Sequence, residues 1–427
     1  MIKKIRIQNF RNLKDVTVHL NEVNLFIGPN NSGKSNVLQA IRLASCILQR
    51  NLLERKETVY SDLVQDTEYD RQLDSIGLKA GENCILSFII RFPENIDHEI
   101  FLQILIRNSL PPSVEIYWGI TETKDIRMEK LEEDIKTSGI CFFFLEIPSS
   151  LSMDSLAPFD YASHSVLFKS MKCFSMKRTN FIESAADILG KFINFPIYEI
   201  SPKEMRLPYG TTGDKYLKKD GSNIVSFLDY LKDNQEDIYA GLKESLSLIT
   251  KDFQGFRLEA LRKGYNEIKS KFSSDTIKRF GLIDRKNKDN TIWGEYLSDG
   301  ILYFLALLCV VSQPYSPPVL LLEEPEKGIH PRRIQEVMDL LFVLAEEKMV
   351  QIILTTHSTF VLDQFSDIPE NISVFENHDS VITVKNLKKD VLDKIDADFK
   401  EQGYANEDFT EALGENWALG LLGGIPG

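Results

Sequence analysis

The chain has 427 residues, of which 43% are hydrophobic and 26% are charged, and its net charge is −13. This composition is typical of a globular protein with two or three domains. The negative charge argues against affinity for nucleic acid over the whole surface, because phosphate binding needs clustered Lys and Arg. The longest apolar run, residues 301–311, is too short to span a bilayer, and no apolar segment follows the first lysines. We therefore expect a cytoplasmic protein with no membrane association.

The cysteines are too far apart for a zinc knuckle or a CxxC redox pair. Several of them lie in apolar runs, where a reduced cysteine behaves as a small hydrophobic residue. We expect buried, reduced thiols at Cys46, Cys84, Cys141, Cys173 and Cys309.

The N-terminal segment predicts a phosphate-binding loop. Two short strands with alternating apolar residues are followed by an apolar run, residues 23–27, a Gly-rich turn and an apolar pattern at helical spacing from Val37. The turn matches GxxxxGK[ST] between strand and helix, as a P-loop requires. Backbone N–H groups of such a loop surround phosphates, its lysine reaches the β- and γ-phosphates, and its serine hydroxyl binds Mg²⁺. The predicted ATP-binding residues are Gly28, Pro29, Asn30, Asn31, Ser32, Gly33, Lys34, Ser35 and Asn36.

The middle of the chain is less informative. Residues 85–92, 99–106 and 114–121 predict strands of an antiparallel lobe. Residues 126–215 show neither a repeat nor a clear period, and we interpret them as an insert. Residues 224–249 predict a helix with a break near Asp233 and Asn234. Residues 251–289 hold eleven Lys or Arg and six Asp or Glu, a local charge of +5 (11 − 6), which leaves a solvated face and a nucleic-acid patch both open.

The second half of the chain predicts the remainder of an ATPase site. A continuous apolar strand, residues 319–322, ends in Glu323 and Glu324. In P-loop ATPases the first acid at this place holds Mg²⁺ and the second polarises the attacking water, so Glu323 is the predicted metal-side acid and Glu324 the predicted catalytic base. One strand later, His357 is placed to hydrogen-bond the γ-phosphate.

A second helix N-terminus that could bind an anion is predicted before this acidic pair. Ser298, Asp299 and Gly300 precede an apolar helical run, and a helix N-terminus with open N–H groups favours an anion. The P-loop helix already serves the phosphates of its own subunit. This second end therefore fits best if it serves the ATP of a partner.

In their order, these motifs resemble those of ABC ATPases: P-loop, LSxG, a strand ending in Glu-Glu, and a strand-end histidine. Residues 7–13 and 27–36 are similar to the RecF, OLD and SMC/Rad50 branch, as are residues 220–224 and 324–331. The resemblance covers roughly residues 1–50 and 216–360. It implies that Ser298 and Gly300 contact the γ-phosphate across a dimer, that residues 327–331 form the D-loop, and that Arg11 lies near a phosphate; a plain surface role for Arg11 stays open.

The chain also departs from the common ABC pattern, in ways that the resemblance places within the OLD-like branch. Asp299 replaces the middle glycine of LSGGQ, Ile301 replaces its glutamine, and Glu323 replaces the usual aspartate. These departures predict slow turnover. Only 67 residues (427 − 360) follow Phe360, which is too few for a Toprim nuclease, and sustained heptads are missing between the two halves.

The predicted fold class is α/β: a P-loop ABC-type ATPase head, with a mostly parallel core sheet, an antiparallel β lobe and a mixed or helical insert. The predicted parts are residues 1–125 (P-loop half with the antiparallel lobe), 126–215 (insert), 216–365 (signature region and second half) and 366–427 (hairpin and docking tail). Trp417 and the leucines near the C-terminus predict either a tail that docks on a neighbouring protein or one that packs on its own core.

Three functions fit this pattern. The favoured hypothesis is a Mg-ATP-dependent ATPase that forms a homodimer or higher oligomer through its ATP sites. It would gate a separate effector protein, since short ATPases of this branch occur in bacterial antiphage and abortive-infection systems. The alternatives are a RecF-like clamp that binds DNA in an ATP-dependent way, and a nucleotide-dependent scaffold that scarcely hydrolyses ATP.

Overall fold

A computed structural model describes residues 1–53, 76, 82–92, 95–107, 113–121, 143–147, 197–250, 252–261, 276–313, 317–327, 331–402 and 409–424. The chain forms two compact units. Unit 1 comprises residues 1–195, 353–359 and 365–427, and unit 2 comprises residues 196–352 and 360–364. Both units combine strands with helices, so the predicted α/β class is confirmed. The predicted boundaries of the four parts stay a prediction.

Unit 1 begins with strands and one long helix. In chain order these are β1 (Ile2–Phe10), β2 (Leu13–His19), β3 (Val23–Ile27), α1 (Lys34–Leu53), β4 (Asn83–Phe92), β5 (Asn95–Arg107), β6 (Ser113–Thr121) and β7 (Phe143–Ile147). The order β2-β1-β4-β5-β6-β7 forms one antiparallel sheet. Ile5 and Ile7 of β1 and Val16 and Val18 of β2 are buried, as expected where alternate residues share one face. The predicted antiparallel lobe is confirmed.

Unit 2 supplies the elements that carry the second set of motifs. They are β8 (Ile197–Tyr198), α2 (Pro202–Met205), β9 (Tyr209–Gly210), α3 (Ile224–Asn234), α4 (Glu236–Ile249), β10 (Phe253–Ala260), β11 (Ile277–Asp284), β12 (Thr291–Trp293), α5 (Asp299–Val311), β13 (Val319–Glu323) and α6 (Pro331–Lys348). The predicted helix break is confirmed, because Gln235 has non-helical dihedral angles between α3 and α4. Strands β9 to β12 form an antiparallel sheet around β11, and β13 pairs with β8 in parallel.

Helix α5 is the core element of unit 2. Eleven of its residues, from Gly300 to Val311, are buried, and only Asp299 and Ile301 are partly accessible. A helix that is apolar on all sides needs protein around its whole circumference. The apolar run noted in the sequence is thus a core helix. Within the described ranges, no helix is both long and apolar enough to cross a membrane.

The chain then passes from unit 2 to unit 1 within β14 (Gln351–Thr355), and α7 (Thr359–Asp363) belongs largely to unit 2. Unit 1 continues with β15 (Ile372–His378), β16 (Val381–Asn386), a π-helical turn (Leu387–Leu392), α8 (Asp393–Gln402) and α9 (Leu413–Ala418). The predicted hairpin is confirmed, since β15 and β16 pair antiparallel. β15 also pairs in parallel with β3, and β14 is the next neighbour of β3. All residues of β3 and β14 are buried, as expected for strands covered on both faces.

The insert falls largely outside the described residues. Of residues 126–215, the structure describes 143–147, which form β7 in unit 1, and 197–215, which contribute β8, α2 and β9 to unit 2. Tyr198, Met205 and Tyr209 are buried. This short segment therefore belongs to the core of the second unit.

Candidate functional site

The P-loop lies in unit 1 between the buried strand β3 and helix α1. Gly28 has φ +144°, and a Cβ atom there would lie 2.3 Å from the carbonyl oxygen of Phe375 on β15. Both the backbone angle and the close approach therefore require glycine. Asn31 and Gly33 also have positive φ values, +61° and +95°. The chain thus turns sharply between strand and helix, as the sequence predicts.

Lys34, the first residue of α1, is the only buried lysine in the described part of the chain. Its ammonium donates hydrogen bonds to the carbonyl oxygens of Gly28 (2.6 Å) and Pro29 (2.8 Å). A buried charge is costly unless it is compensated, and a bound phosphate would add to the compensation that these carbonyl oxygens give. Nearby in the loop, the buried Ser32 Oγ has no hydrogen-bond partner among the described residues. The loop therefore fits the phosphates of ATP.

A network of amide side chains joins the P-loop to its surroundings. Arg11 donates from Nη1 to Asn36 Oδ1 (3.0 Å), and Asn36 donates to Asn12 Oδ1 (2.6 Å). The side-chain amides of Asn12 and Asn377 both donate to the carbonyl oxygen of Asn31, at 3.1 and 3.3 Å. Arg11 is thus bonded to the P-loop helix, in a turn where its φ is +53°. Its predicted contact with phosphate stays a proposal.

Asn12 and Asn377 did not emerge from the sequence as site residues. Asn12 directly follows Arg11, so the turn between β1 and β2 was a usable signal. Asn377 is 346 residues from Asn31, in the hairpin of β15 and β16, and its spacing alone could not reveal it.

The C-terminal segment also lies against the P-loop. A Cβ atom on Gly424 would lie 2.8 Å from Val374 Cγ1 and 3.3 Å from Gly28 Cα. Trp417 Nε1 donates to the carbonyl oxygen of Gly424 (3.1 Å), and its side chain is only 1% exposed. The part of the tail that contains Trp417 is therefore packed within its own unit. Leu419 and Leu421 are 68% and 50% exposed. Docking of these two side chains on a neighbouring protein stays a prediction.

His357 follows strand β14 in the same unit as the P-loop. The backbone N–H of Thr356 donates to the carbonyl oxygen of Phe26 on β3 (3.2 Å), and the N–H of Ser358 donates to Thr356 Oγ1 (2.9 Å). These bonds fix the backbone on both sides of His357. The imidazole is half-buried, beside the strand that leads into the P-loop, and its bond to a γ-phosphate stays a proposal.

The acidic pair lies in unit 2 at the end of β13. The first four residues of this strand are buried, whereas Glu323 and Glu324 are half-buried. Glu324 has φ +45°, which is costly for a residue with a side chain and occurs often at functional sites. Its carbonyl oxygen accepts a hydrogen bond from the N–H of Lys327 (2.9 Å), and its carboxylate lies 3.9 Å from Lys327 Nζ. The turn thus holds the backbone of Glu324 in a strained conformation at the end of β13.

The signature residues begin helix α5. Ser298 is its N-cap and is exposed, and its Oγ accepts from the N–H of Ile301 at 3.4 Å. Asp299 occupies the first helical position, and Gly300 is buried. An unexpected residue completes this group: Arg206 Nη2 donates to Asp299 Oδ1 (2.5 Å) and to the carbonyl oxygen of Leu297 (2.8 Å). Arg206 lies in the segment that we interpreted as an insert, so the sequence offered no signal for it.

The predicted Mg²⁺ ligands are of the right chemical type. Ser35 presents an exposed hydroxyl in the first turn of α1, and Glu323 presents a half-buried carboxylate. Mg²⁺ prefers oxygen ligands and commonly takes one or two from protein, with phosphates and water completing the shell. The described residues contain no group of three or more His, Cys, Asp or Glu side chains that could hold a metal. Residues 328–330 of the predicted D-loop lie outside the described residues.

Comparison with known proteins finds matches to ATPase families in two separate parts of the chain. Residues 1–137 match the family "AAA ATPase domain", and residues 196–363 match the family "AAA domain, putative AbiEii toxin, Type IV TA system". A stretch of 103 residues is 30% identical to the methionine import ATP-binding protein MetN of Staphylococcus saprophyticus. It spans 21% of this chain and 30% of that relative. These matches support ATP binding by domains of the ATPase type.

Solved structures with a partly similar course of the chain include two SMC heads and RecF. The SMC head domain of Thermotoga maritima has a TM-score of 0.42 at 13% identity and covers 90% of this chain and 98% of its own. The Smc head domain of Pyrococcus furiosus, bound to the C-terminal domain of ScpA, has a TM-score of 0.40 at 15% sequence identity. The match covers 94% of this chain and 99% of that structure. The recombination mediator protein RecF has a TM-score of 0.38 at 15% sequence identity, and the match covers 90% of this chain and 98% of that structure. Scores this low do not indicate what this chain binds.

Proposed function

We propose that this chain is an ABC-type ATPase that binds Mg-ATP on its P-loop and hydrolyses it at a site shared with a second copy. The observation that carries the proposal is the P-loop of unit 1. It combines a buried Lys34 ammonium, a buried Ser32 hydroxyl and a glycine backbone that excludes any side chain at Gly28. This is a cradle for phosphate at the start of a long helix, whose N-terminus adds a favourable dipole.

The proposed hydrolysis assigns a role to each of the predicted site residues. Ser35 and Glu323 are each proposed to offer an oxygen ligand to Mg²⁺, which would neutralise charge on the phosphate oxygens. Glu324 would accept a proton from the attacking water, and His357 would donate a hydrogen bond to the γ-phosphate. The positive φ of Glu324 supports its role, because such strain persists only where the surrounding structure maintains it.

The shared site rests on the exposed start of helix α5. Ser298 is exposed at a helix end, where the N–H groups of the first turn have no carbonyl partner within the helix and that of Ile301 is capped by Ser298 itself. Unit 1 already offers α1 to the phosphates of its own copy. A second anion-binding helix end is useful if it closes over the ATP of another copy. The proposed assembly is therefore a homodimer or a larger homo-oligomer with ATP at its interface.

The proposed biological role is to gate a separate effector in antiphage defence. The family matched by residues 196–363 is described by reference to AbiEii toxins and type IV toxin–antitoxin systems, which supports a role in toxin control. ATP would hold two copies together and hydrolysis would release them, so the effector would sense a two-state clamp. Identifying the protein that co-purifies with this chain tests this part of the proposal.

The DNA-clamp alternative depends on the basic segment 251–289. Several of its described cations have partners within unit 2: Lys278 lies 2.6 Å from Asp229, and Arg279 lies 2.7 Å from Glu259. The guanidinium of Arg285 donates to backbone carbonyl groups, including that of Phe253 (3.2 Å). These cations are compensated internally, which favours the solvated-face interpretation. ATP-dependent DNA binding that weakens steeply with salt would reverse this preference.

Turnover at saturating Mg-ATP tests the proposal as a whole and separates it from the non-hydrolysing scaffold. We expect slow but measurable hydrolysis in the wild type and loss of both binding and hydrolysis in Lys34→Ala. Lys14→Ala is a suitable control, because Lys14 lies exposed on β2 of the same unit. A Lys34→Ala protein that binds ATP like the wild type would contradict the proposal, and a wild type that binds without turnover would favour the scaffold.

A further inference from the structure

Arg206 is anchored next to the signature residues of unit 2. It caps the C-terminus of the short helix α2, whose N-cap Ser201 accepts a hydrogen bond from Glu204 and whose Met205 is fully buried. From this fixed base, one guanidinium nitrogen reaches the carbonyl oxygen of Leu297 and the carboxylate of Asp299. Arg206 thus bonds the residues on both sides of Ser298, which itself remains exposed.

The charge of Asp299 explains why such a partner is needed. A carboxylate in the first turn of α5 interacts favourably with the helix dipole and so occupies the positive end that a phosphate would use. Its negative charge would also repel a phosphate directly. The guanidinium of Arg206 returns a positive charge to this place. The departure from the common glycine at this position is thereby compensated within the same unit.

We propose that Arg206 is a positioning residue for the signature: it fixes the backbone around Ser298 and neutralises Asp299, so that the helix end can receive the γ-phosphate of a second copy. This inference rests on the proposed shared ATP site. It assigns a task to a residue of unit 2, whereas the P-loop lies in unit 1. Loss of Arg206 should therefore spare ATP binding and impair hydrolysis.

The test compares four variants for ATP affinity and for turnover per protein. Arg206→Met keeps the aliphatic stem but removes the charge, and we expect turnover to fall about 10-fold or more with ATP affinity unchanged, in keeping with the strength of hydrogen bonds to charged groups. Arg206→Met combined with Asp299→Asn removes both charges and should recover most of the loss. Arg206→Lys, which keeps the charge, should be impaired less than Arg206→Met. Ser298→Arg should abolish turnover.

A matched control uses another arginine–aspartate pair. Arg6 and Asp15 lie 2.6 Å apart in unit 1, and Arg6 is 21% exposed where Arg206 is 28% exposed. Arg6→Met should leave turnover unchanged while reporting the stability cost of losing such a pair, which is small at exposed sites. Melting temperatures of all variants identify any that fail to fold, and Arg206→Lys then carries the comparison.

The outcomes separate this inference from the proposed function. Wild-type turnover in Ser298→Arg would contradict the shared site itself. With Ser298→Arg inactive, wild-type turnover in Arg206→Met would overturn the role of Arg206. An inactive double variant, or a folded Arg206→Lys protein as inactive as Arg206→Met, would show that Arg206 does not support turnover by compensating the charge of Asp299.

Discussion

The indole Nε1 of Trp417 donates a hydrogen bond to the carbonyl oxygen of Gly424, 3.1 Å away, and thereby closes the C-terminal segment into a loop. That loop places Gly424 against Gly28, the first residue of the P-loop, and against Val374 of β15. The segment from Trp417 to Gly424 therefore packs against the phosphate-binding turn. A disturbance of the tail should be felt at the nucleotide.

Gly424→Ala should weaken ATP binding. The new Cβ would lie 2.8 Å from Val374 Cγ1 and 3.3 Å from Gly28 Cα, so the P-loop or the tail must shift. Overpacking typically costs about 1–3 kcal/mol, and every 1.4 kcal/mol, approximately, is a tenfold change in affinity. Titration with ATP would show a clear loss of affinity in the folded protein.

Gly213→Ala is the control for the backbone strain in this comparison. Gly213 has φ +75° and, among the described residues, no atom within 4 Å of its Cβ position, whereas Gly424 has φ +63° and close neighbours. Both substitutions strain the backbone, but only that at Gly424 presses on the P-loop. Equal ATP affinities for the two variants would contradict a contact between tail and P-loop that matters for binding.

Trp417→Ala should destabilise the protein strongly, while Leu419→Ala should not. Trp417 is 1% exposed and Leu419 is 68% exposed on the same segment. Emptying a buried aromatic site costs about 3–5 kcal/mol, and an exposed substitution usually changes stability by less than about 0.5 kcal/mol. Thermal or denaturant unfolding measures both. Similar stabilities would show that the tail docks elsewhere and leaves its own unit.

Glu324→Gln should keep ATP binding and lose hydrolysis. Glutamine has the shape of glutamate, and at this position it would take the same positive φ. The local backbone strain is therefore unchanged, while the proton acceptor is gone. Loss of a general base costs roughly 10²–10⁴-fold in rate, and the ATP-bound dimer should accumulate. Glu346→Gln, at an exposed position of α6, serves as the control. Wild-type turnover in Glu324→Gln would show that the base is another residue.

Cys84 and Cys309 should resist alkylation in the native protein and react after unfolding. Both thiols are buried, and burial raises the pKa of Cys84 from 9.0 to about 12 and that of Cys309 still further. The reactive thiolate is therefore scarce at neutral pH. Because the folded pKa is raised, both groups also cost stability as pH rises above about 9, where the unfolded thiols ionise. Peptide mapping after brief maleimide labelling checks this, and native labelling of Cys84 would contradict it.

The sequence revealed those parts of the site that are encoded locally. The P-loop, the acidic pair after β13 and the cap at Ser298 each lie within a few residues, and a buried strand or an apolar helix stands beside each of them. The break between α3 and α4 was predicted for the same reason. Arg206 and Asn377 were missed because they act on Asp299, 93 residues away, and Asn31, 346 residues away. Only the fold brings such pairs together.

The tail shows a second limit of prediction from sequence. Its apolar residues indicated a contact but could not distinguish the chain's own core from a partner. The structure resolves this residue by residue. Trp417 and Leu422 are buried in unit 1, whereas Leu419 and Leu421 are exposed. A short turn with glycines of positive φ at 420, 423 and 424 produces the division, and such turns depend on neighbours that spacing does not show.

Complementation between two inactive variants tests the central claim, the shared ATP site, most directly. Lys34→Ala lacks the P-loop function, and Ser298→Arg lacks the signature function. A mixed dimer would hold one intact site, built from the P-loop of the Ser298→Arg copy and the signature of the Lys34→Ala copy. If sites act independently, an equal mixture should regain up to about a quarter of wild-type turnover, since half of the dimers are mixed and each has one good site of two. Turnover that stays at the level of the separate variants, in a mixture where subunit exchange is demonstrated, would contradict the account.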